Sequence, residues 1–172
     1  ARMLCGLVFL SCALDSADLD ARVVIGSKKF TEGIILGEIL EQLVHARGIE
    51  TEHKSELGGT RILWEALKRG DIHAYAEYTG TLQFEILREK GMHAPDSLRQ
   101  RLARDGIGIS DSLGFEDTYS LGMPRKRAEE LGIQTMSDLA RHPNLRFGLS
   151  HEFLERKDGW PGLRARYGLS AN

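Results

Sequence analysis

The order of apolar and polar positions predicts alternating strands and helices in the first two thirds of the chain. Short β-branched or alternating runs indicate strands, and apolar residues that recur every three or four positions indicate helices. Thr60 is predicted to cap the second helix, and Gly70 to end it. The predicted strands cover 22–25, 50–57 and 72–75. The first predicted helix has its apolar positions over 35–44 and is ended by Gly48, and the later helices cover 61–69, 82–90 and 98–104.

The remaining residues repeat this order after a glycine-rich stretch, "DGIGIS" at 105–110, which is typical of a linker. Strands are predicted over 115–123 and 145–150. Helices are predicted over 124–131, after a cap at Ser137, and twice within 151–168. Strands and helices that alternate on both sides of a linker predict an α/β fold with mostly parallel sheets in two lobes. The predicted lobes are 22–107 and 112–172.

The N-terminus differs from the rest because residues 3–14 form an apolar run. This run is too short to span a bilayer comfortably, but it has the length of the apolar core of a signal peptide. Small residues near its end predict a signal peptide over 1–13, cleaved after Ala13, and therefore export. Two other interpretations stay open, namely a lipid anchor on Cys12 and a buried N-terminal helix or strand.

Composition mainly excludes classes of protein. The 172 residues are 41% hydrophobic and carry a net charge of −2, which lacks the basic excess of a nucleic-acid-binding surface. Cys5 and Cys12 both lie in the apolar run and the six histidines are scattered, so neither a disulfide framework nor a metal site is predicted. No nucleophile, phosphate-loop, zinc-protease or dinucleotide motif occurs, so no catalytic residue and no cofactor are predicted.

The segments that follow the predicted strands carry candidate binding residues. Lys28 and Lys29 follow the first strand beside a helix N-terminus, where a carboxylate would meet ammonium and free N–H groups. Thr60 follows a Gly-Gly turn that can offer backbone donors. A solvated lysine pair and a simple turn are the plainer interpretations of these features.

Tyrosines are the second kind of candidate. Tyr75 and Tyr78 precede a Thr-Gly-Thr turn, and Asp117 lies two positions before Tyr119. An aromatic face near a carboxylate attracts a cation, and several rings together hold a quaternary ammonium group. The alternative for any single tyrosine is core packing. Ligands of open α/β sheets collect at the carboxyl ends of strands, and these residues fall near predicted strand ends.

Three motifs carry a resemblance to a known family. The segments "IGSKKFTEGIILGEILEQLV", "AYAEYTGT" and "RFGLSHEFLERKDGWPGL" occur in this order. Together they resemble the substrate-binding component of glycine betaine/carnitine/choline ABC transporters, from about residue 23 to residue 169. The resemblance implies a two-lobed periplasmic-binding-protein fold of type II, whose lobes close on a ligand.

The resemblance also implies which residues bind the ligand. The family holds trimethylammonium head groups in a box of tyrosines, so Tyr78 and Tyr119 would be members of that box. Asp117 would add negative charge near the cation. Tyr75 is the less certain tyrosine and is expected to pack.

A ligand carboxylate would be bound by basic residues in the same family. Lys28 would meet it, with Lys29 as the second choice, and Arg156 would be its other partner. Choline has no carboxylate and needs neither contact, so the sequence does not choose among glycine betaine, carnitine and choline.

Members of the family are considerably longer than this chain. In the family, the chain returns after the second lobe to complete the first lobe and adds further box tyrosines. The resemblance therefore implies a truncated C-terminus, a second lobe that is partial or barely complete, and a first lobe that exposes apolar surface.

The function implied by the resemblance is that of a solute-binding protein, and not of an enzyme. It would be a periplasmic or otherwise extracytoplasmic monomer that delivers a quaternary-ammonium osmoprotectant to an ABC permease, without a nucleic-acid partner. Three alternatives remain: binding of another small polar solute such as an amino acid, an enzyme on the same scaffold, and a truncated remnant that does not bind.

Overall fold

The computed structural model describes residues 5–10, 22–88 and 95–170, which form two compact units divided after Asp117. The predicted end of the first lobe was 107, so the first unit includes ten further residues. The predicted cleavage site after Ala13 and the proposed lipid acceptor Cys12 lie outside the described residues. No helix within the described ranges is both long and apolar enough to cross a membrane.

The first unit is built around a five-stranded sheet in the order β3-β2-β4-β1-β5. β2 runs parallel to β3 and β4, whereas β1 runs antiparallel to β4 and β5. Among the described strands, β1 is therefore the one that runs against the predicted parallel direction. The strands are β1 Cys5–Leu10, β2 Val23–Lys28, β3 Thr51–Gly58, β4 Ala74–Tyr78 and β5 Ile107–Ile109.

Helices cover both faces of this sheet. Leu63 and Leu67 of α2 and Leu98 and Leu102 of α4 are buried in the main core cluster, whereas α1 packs against the other face through Leu36. Gly59, and not Thr60, is the N-cap of α2, and α2 ends before Gly70 as predicted. The helices are α1 Thr31–His45, α2 Thr60–Arg69, α3 Thr79–Thr81, which continues as a π-helix over Leu82–Leu87, and α4 Pro95–Ala103.

Residues 5–10 of the apolar run predicted as the core of a signal peptide form β1 in this structure. Its Cys5 and Val8 side chains are fully buried, and it pairs with β4 from Cys5 opposite Tyr78 to Phe9 opposite Ala74. For residues 5–10 the structure thus shows the alternative interpretation, a buried N-terminal strand. Cleavage after Ala13 stays a prediction.

The glycine-rich stretch predicted as a linker contains β5, which corrects that prediction. A Cβ on Gly108 would lie 2.2 Å from the Phe9 ring of the neighbouring strand. The Phe9 ring packs directly over this glycine, which lies in a paired strand and does not indicate a flexible connection.

Apolar side chains remain exposed on α1. Ile35, Ile39 and Leu43 follow one another at intervals of four residues and are about half exposed or more. The three side chains form an apolar stripe on the surface of the first unit.

The second unit, from residue 118 onward, is described as helices and irregular backbone. Leu139, Phe153, Trp160 and Leu169 form its core. The strands predicted over 115–123 and 145–150 are irregular backbone apart from a bridge at 116. The helical elements are α5 Arg125–Leu131, a 3-10 helix Met136–Arg141, α6 His151–Glu155 and α7 Trp160–Tyr167.

The 3-10 helix is capped by Thr135, and not by Ser137 as predicted. The Thr135 side chain and the Asp138 carboxylate form a capping box. Backbone N–H groups of Gln134 and Thr135 donate to Asp138 and hold the pKa of its carboxyl well below the usual range. The spacing Thr-x-x-Asp was the available sequence signal.

Candidate functional site

A cluster of charged and aromatic side chains lies at the carboxyl ends of β2 and β4. Lys28 is the last residue of β2 and Tyr78 the last residue of β4, although both were predicted to lie beyond their strands. The two strands are parallel, so they end at the same edge of the sheet. The structure therefore brings together two residues that the resemblance assigns to the ligand site.

Lys28 forms a buried ion pair with Glu77. Its Nζ donates to Glu77 Oε1 at 2.6 Å, and the two side chains are 5% and 0% exposed. The same oxygen accepts the backbone N–H of Tyr78 at 2.9 Å. Sequence reasoning missed Glu77, and the signal was a carboxylate inside the otherwise apolar strand "AYAEY". The Lys28 ammonium is therefore neutralised by the protein itself.

Tyr78 lies beside this pair and is almost completely buried. Its hydroxyl donates to the carboxylate of Glu32, and burial together with this bond raises the pKa of Tyr78 far above its ordinary value. Lys28 Nζ lies 5.7 Å from the centroid of the Tyr78 ring, within cation–π distance. The ring that was predicted to attract a ligand cation thus already has a cation near its face.

The charge around Tyr78 is predominantly negative. The Cys5 thiol, opposite Tyr78 in the sheet, is affected by this charge: burial and, to a smaller extent, nearby negative charges together raise its pKa to about 12. Only the Lys28 ammonium acts in the other direction. The negative groups are Glu32, Glu77 and Asp117.

Tyr75 lies in a different environment. Residues three apart on a strand face opposite sides of the sheet, and Tyr75 is fully buried in the core formed with α2 and α4. Its hydroxyl has no hydrogen-bond partner of normal geometry among the described residues. Burial and the nearby Glu77 charge raise the pKa of Tyr75 well above its ordinary value. This environment is that of a packing residue.

The second unit contains a similar cluster in the turn between α6 and α7. Arg156 is 4% exposed and donates from Nε and from one terminal nitrogen to the two Asp158 oxygens, at 3.0 and 2.7 Å. Its Cζ lies 5.8 Å from the centroid of Tyr119. Burial alone would lower the pKa of Arg156, but the hydrogen bonds and charge of Asp158 outweigh it and raise the pKa. Sequence reasoning missed Asp158, although it stands only two positions after Arg156.

Tyr119, in contrast to Tyr78, is 55% exposed and lies on irregular backbone instead of the predicted strand. Its ring packs against Phe153 with the ring centroids 4.6 Å apart. Lys29 is exposed, and Thr60 is buried at the start of α2. The described residues contain no group of three or more His, Cys, Asp or Glu side chains able to hold a metal ion.

A chain of hydrogen bonds supports β2 next to Lys28. His53 Nε2 lies 2.9 Å from Ser27 Oγ, and His53 Nδ1 lies 3.2 Å from Glu38 Oε2. Gln42 and His53 lower the pKa of Glu38, and an ionised carboxylate only accepts. His53 therefore donates from Nδ1 to Glu38, and its Nε2 is the hydrogen-bond partner of the Ser27 hydroxyl. The contact spans the irregularity in β2–β3 pairing between Gly26 and Lys28.

Replacing His53 by Leu is expected to lower the free energy of unfolding by about 1–3 kcal/mol, because the buried Ser27 hydroxyl loses its partner. Urea denaturation followed by circular dichroism measures this. In a Ser27→Ala background the same substitution is expected to cost clearly less, since no orphaned hydroxyl remains. Equal costs in the two backgrounds would contradict the hydrogen-bond explanation.

Comparison with protein families identifies the chain. A model of the substrate-binding domain of ABC-type glycine betaine transport systems matches residues 21–172. The chain belongs to this family. The predicted resemblance to glycine betaine/carnitine/choline binding components is thereby confirmed. The family consists of substrate-binding proteins and not of enzymes.

Relatives of this binding domain are longer than the chain. An ergothioneine transport permease/ergothioneine binding protein, EgtU, of Helicobacter pylori is 35% identical over 153 residues, 84% of this chain and 27% of the relative. A glycine-betaine-binding protein of Pseudomonas aeruginosa is 34% identical over 160 residues, 84% of this chain and 51% of the relative. The chain therefore spans about half or less of these two relatives.

Solved structures support the predicted α/β class. A crystal structure of a glycine betaine/carnitine/choline ABC transporter matches this binding domain with a TM-score of 0.55 at 25% identity. The match covers 88% of this chain and 58% of that one. The mixed α/β fold is therefore that of solved periplasmic binding proteins.

Proposed function

We propose that this chain binds a small quaternary-ammonium solute as the solute-binding part of an ABC importer, and that Tyr78 supplies an aromatic face to the head group. The observation that carries this proposal is the environment of Tyr78. Its ring lies at the sheet edge where ligands of α/β proteins collect, with the carboxylates of Glu32 and Asp117 near it. Membership of the family supports the same class of ligand.

The chemistry of a quaternary ammonium group explains why such an environment suits it. The group carries a positive charge but has no N–H, so it cannot be recognised by hydrogen bonds. Aromatic faces and nearby negative charges are what remain to bind it. Around Tyr78 the negative charge comes from Glu32, Glu77 and Asp117.

The location of the protein and its partner are proposed from its membership of the family. We infer that the protein works outside the cytoplasm and passes its solute to a membrane permease, as a monomer. Tyr119, Asp117 and Arg156 remain proposed ligand contacts, as do Lys28 and, with less support, Lys29 and Thr60. Relatives are named for glycine betaine, carnitine and ergothioneine, so these solutes and choline are the ligands to test first.

Titration calorimetry with these four solutes tests the proposal on wild type and Tyr78→Ala. Loss of a cation–π contact worth about 2 kcal/mol weakens binding roughly 30-fold. Tyr78→Phe keeps the ring and is expected to retain most of the affinity. Tyr75→Phe, on the opposite face of the same strand, is the matched control and should bind as wild type does.

Two other results of the calorimetry would favour a different function. A solute that binds wild type and Tyr78→Ala equally well would contradict the aromatic site and favour a different polar ligand, such as an amino acid. A chain that unfolds cooperatively but binds none of the solutes would contradict the proposed ligand class.

A further inference from the structure

A second aromatic residue, Phe30, lies beside Tyr78 in the first unit. The centroids of the two rings are 6.5 Å apart, and their planes are inclined by 34°. This separation lies within the range of packed aromatic pairs. Because the planes are closer to parallel than to perpendicular, both rings can turn a face toward the same side. Phe30 stands in the first of the three motifs, within "SKKFTE", but it was not among the predicted site residues.

Phe30 is more open to solvent than Tyr78. It is 36% exposed, whereas Tyr78 is 5% exposed. Lys28 Nζ already lies 5.7 Å from the centroid of the Tyr78 ring. In the part of the chain that the structure describes, no lysine or arginine lies over the Phe30 ring. Phe30 therefore has aromatic surface that a solute can reach and that no cation of the described residues occupies.

The backbone holds the Phe30 ring in this place. Phe30 is the N-cap of α1: its N–H donates to the Lys28 carbonyl at 2.9 Å, and its carbonyl accepts the Ile34 N–H at 3.1 Å. The ring packs on the first turn of α1, where a Cβ on Gly33 would lie 3.3 Å from Phe30 Cζ. An aromatic face that is already in place loses little conformational freedom when a ligand binds.

A carboxylate lies next to the two rings. Glu32 stands in the first turn of α1, and its carboxylate accepts a hydrogen bond from the Tyr78 hydroxyl. Negative charge beside aromatic faces attracts a cation, and several rings together hold a quaternary ammonium group. Since the two centroids are 6.5 Å apart, one head group can lie within cation–π distance, about 6 Å, of both rings.

We propose that Phe30 is a second aromatic residue of the quaternary-ammonium site, and that its exposed ring face binds the head group together with Tyr78. This inference rests on the proposed function and adds a specificity-determining residue to the same site. The π-electrons of a ring attract positive charge, which an aliphatic side chain does not do. Two such faces therefore favour a cationic head group over an uncharged apolar group.

Titration calorimetry of the complete chain with choline and with glycine betaine tests this role. Phe30→Leu keeps an apolar side chain but removes the ring, and it should weaken binding of the tighter solute about fivefold. Phe30→Tyr restores a ring and should bind about as tightly as wild type. Ile39→Ala changes another exposed apolar residue of α1, and as the matched control it should leave the affinity unchanged.

A nuclear Overhauser measurement on the wild-type chain tests the contact itself. Cross-peaks are expected between the methyl protons of the bound solute and the Phe30 ring protons, and they should be absent in Phe30→Leu. Because the measurement reads wild type, it does not depend on how well a variant folds. Cross-peaks to Tyr78 without any to Phe30 would overturn the inference.

Failure of this inference can be told apart from failure of the proposed function. If Tyr78→Ala weakens binding but Phe30→Leu binds as tightly as wild type, the proposed function stands and the role of Phe30 is overturned. If Phe30→Tyr binds as weakly as Phe30→Leu, the shape of the side chain and not its ring explains the loss, which also overturns the inference. Wild type that binds neither solute overturns both.

Discussion

Replacing Lys28 by Met is expected to lower the free energy of unfolding by about 3–5 kcal/mol. The substitution removes the cation from a pair whose side chains are 5% and 0% exposed, and leaves the Glu77 charge buried. Glu77 Oε1 would keep the hydrogen bond from the Tyr78 backbone N–H but would lose its neighbouring cation. Removing one partner of a buried pair costs far more than the pair itself contributes, because the remaining charge is desolvated.

Urea denaturation of the complete chain measures this cost. Lys29→Met is the matched control, because Lys29 is exposed, and it should change stability by no more than about 0.5 kcal/mol. The double variant Lys28→Met/Glu77→Gln should recover much of the lost stability, since no buried charge remains. If Lys28→Met were no more destabilising than Lys29→Met, the pair would not be buried in solution.

Gly159→Ala is expected to destabilise the second unit by about 3 kcal/mol, near the upper end of the range for overpacking. A Cβ at this position would lie 2.3 Å from the Phe153 carbonyl oxygen and 3.2 Å from the Arg156 carbonyl oxygen. Both are backbone atoms, so no side-chain rotation relieves the contact. The turn that holds Arg156 against Asp158 would have to open.

Hydrogen exchange read by mass spectrometry localises this effect. Peptides that cover 151–167 should exchange faster in the variant, while peptides from β2 and β4 should be unchanged. Gly148→Ala is the matched control, because a Cβ there would meet nothing within 4 Å. Unchanged exchange over 151–167 in Gly159→Ala would show that the turn tolerates the added carbon.

The periodicity of apolar residues and the positions of glycines were enough to predict several individual helices and strands. α2 was predicted within one residue of its observed bounds because its apolar periodicity is strong. β3 is mostly polar but was predicted equally closely, since glycines bound it on both sides. β2 runs three residues further than predicted, and α1 begins four residues earlier. The strand predicted over 145–150 failed because a strand needs a neighbour to complete its hydrogen bonds. Its alternating apolar residues instead pack into the helical core of the second unit, namely Leu145, Phe147 and Leu149.

The sequence by itself determined the family, through three motifs in a fixed order, and it singled out Tyr78 and Arg156 as residues of interest. The Arg156–Asp158 ion pair could also have been predicted from the sequence, because the two residues are only two positions apart. Only the tertiary structure decided that Lys28 is buried against Glu77, 49 residues away, and that β1 lies between β4 and β5. Such contacts depend on which strands become neighbours and in what register, and that choice is made by burial across the whole sheet rather than by any local run of residues.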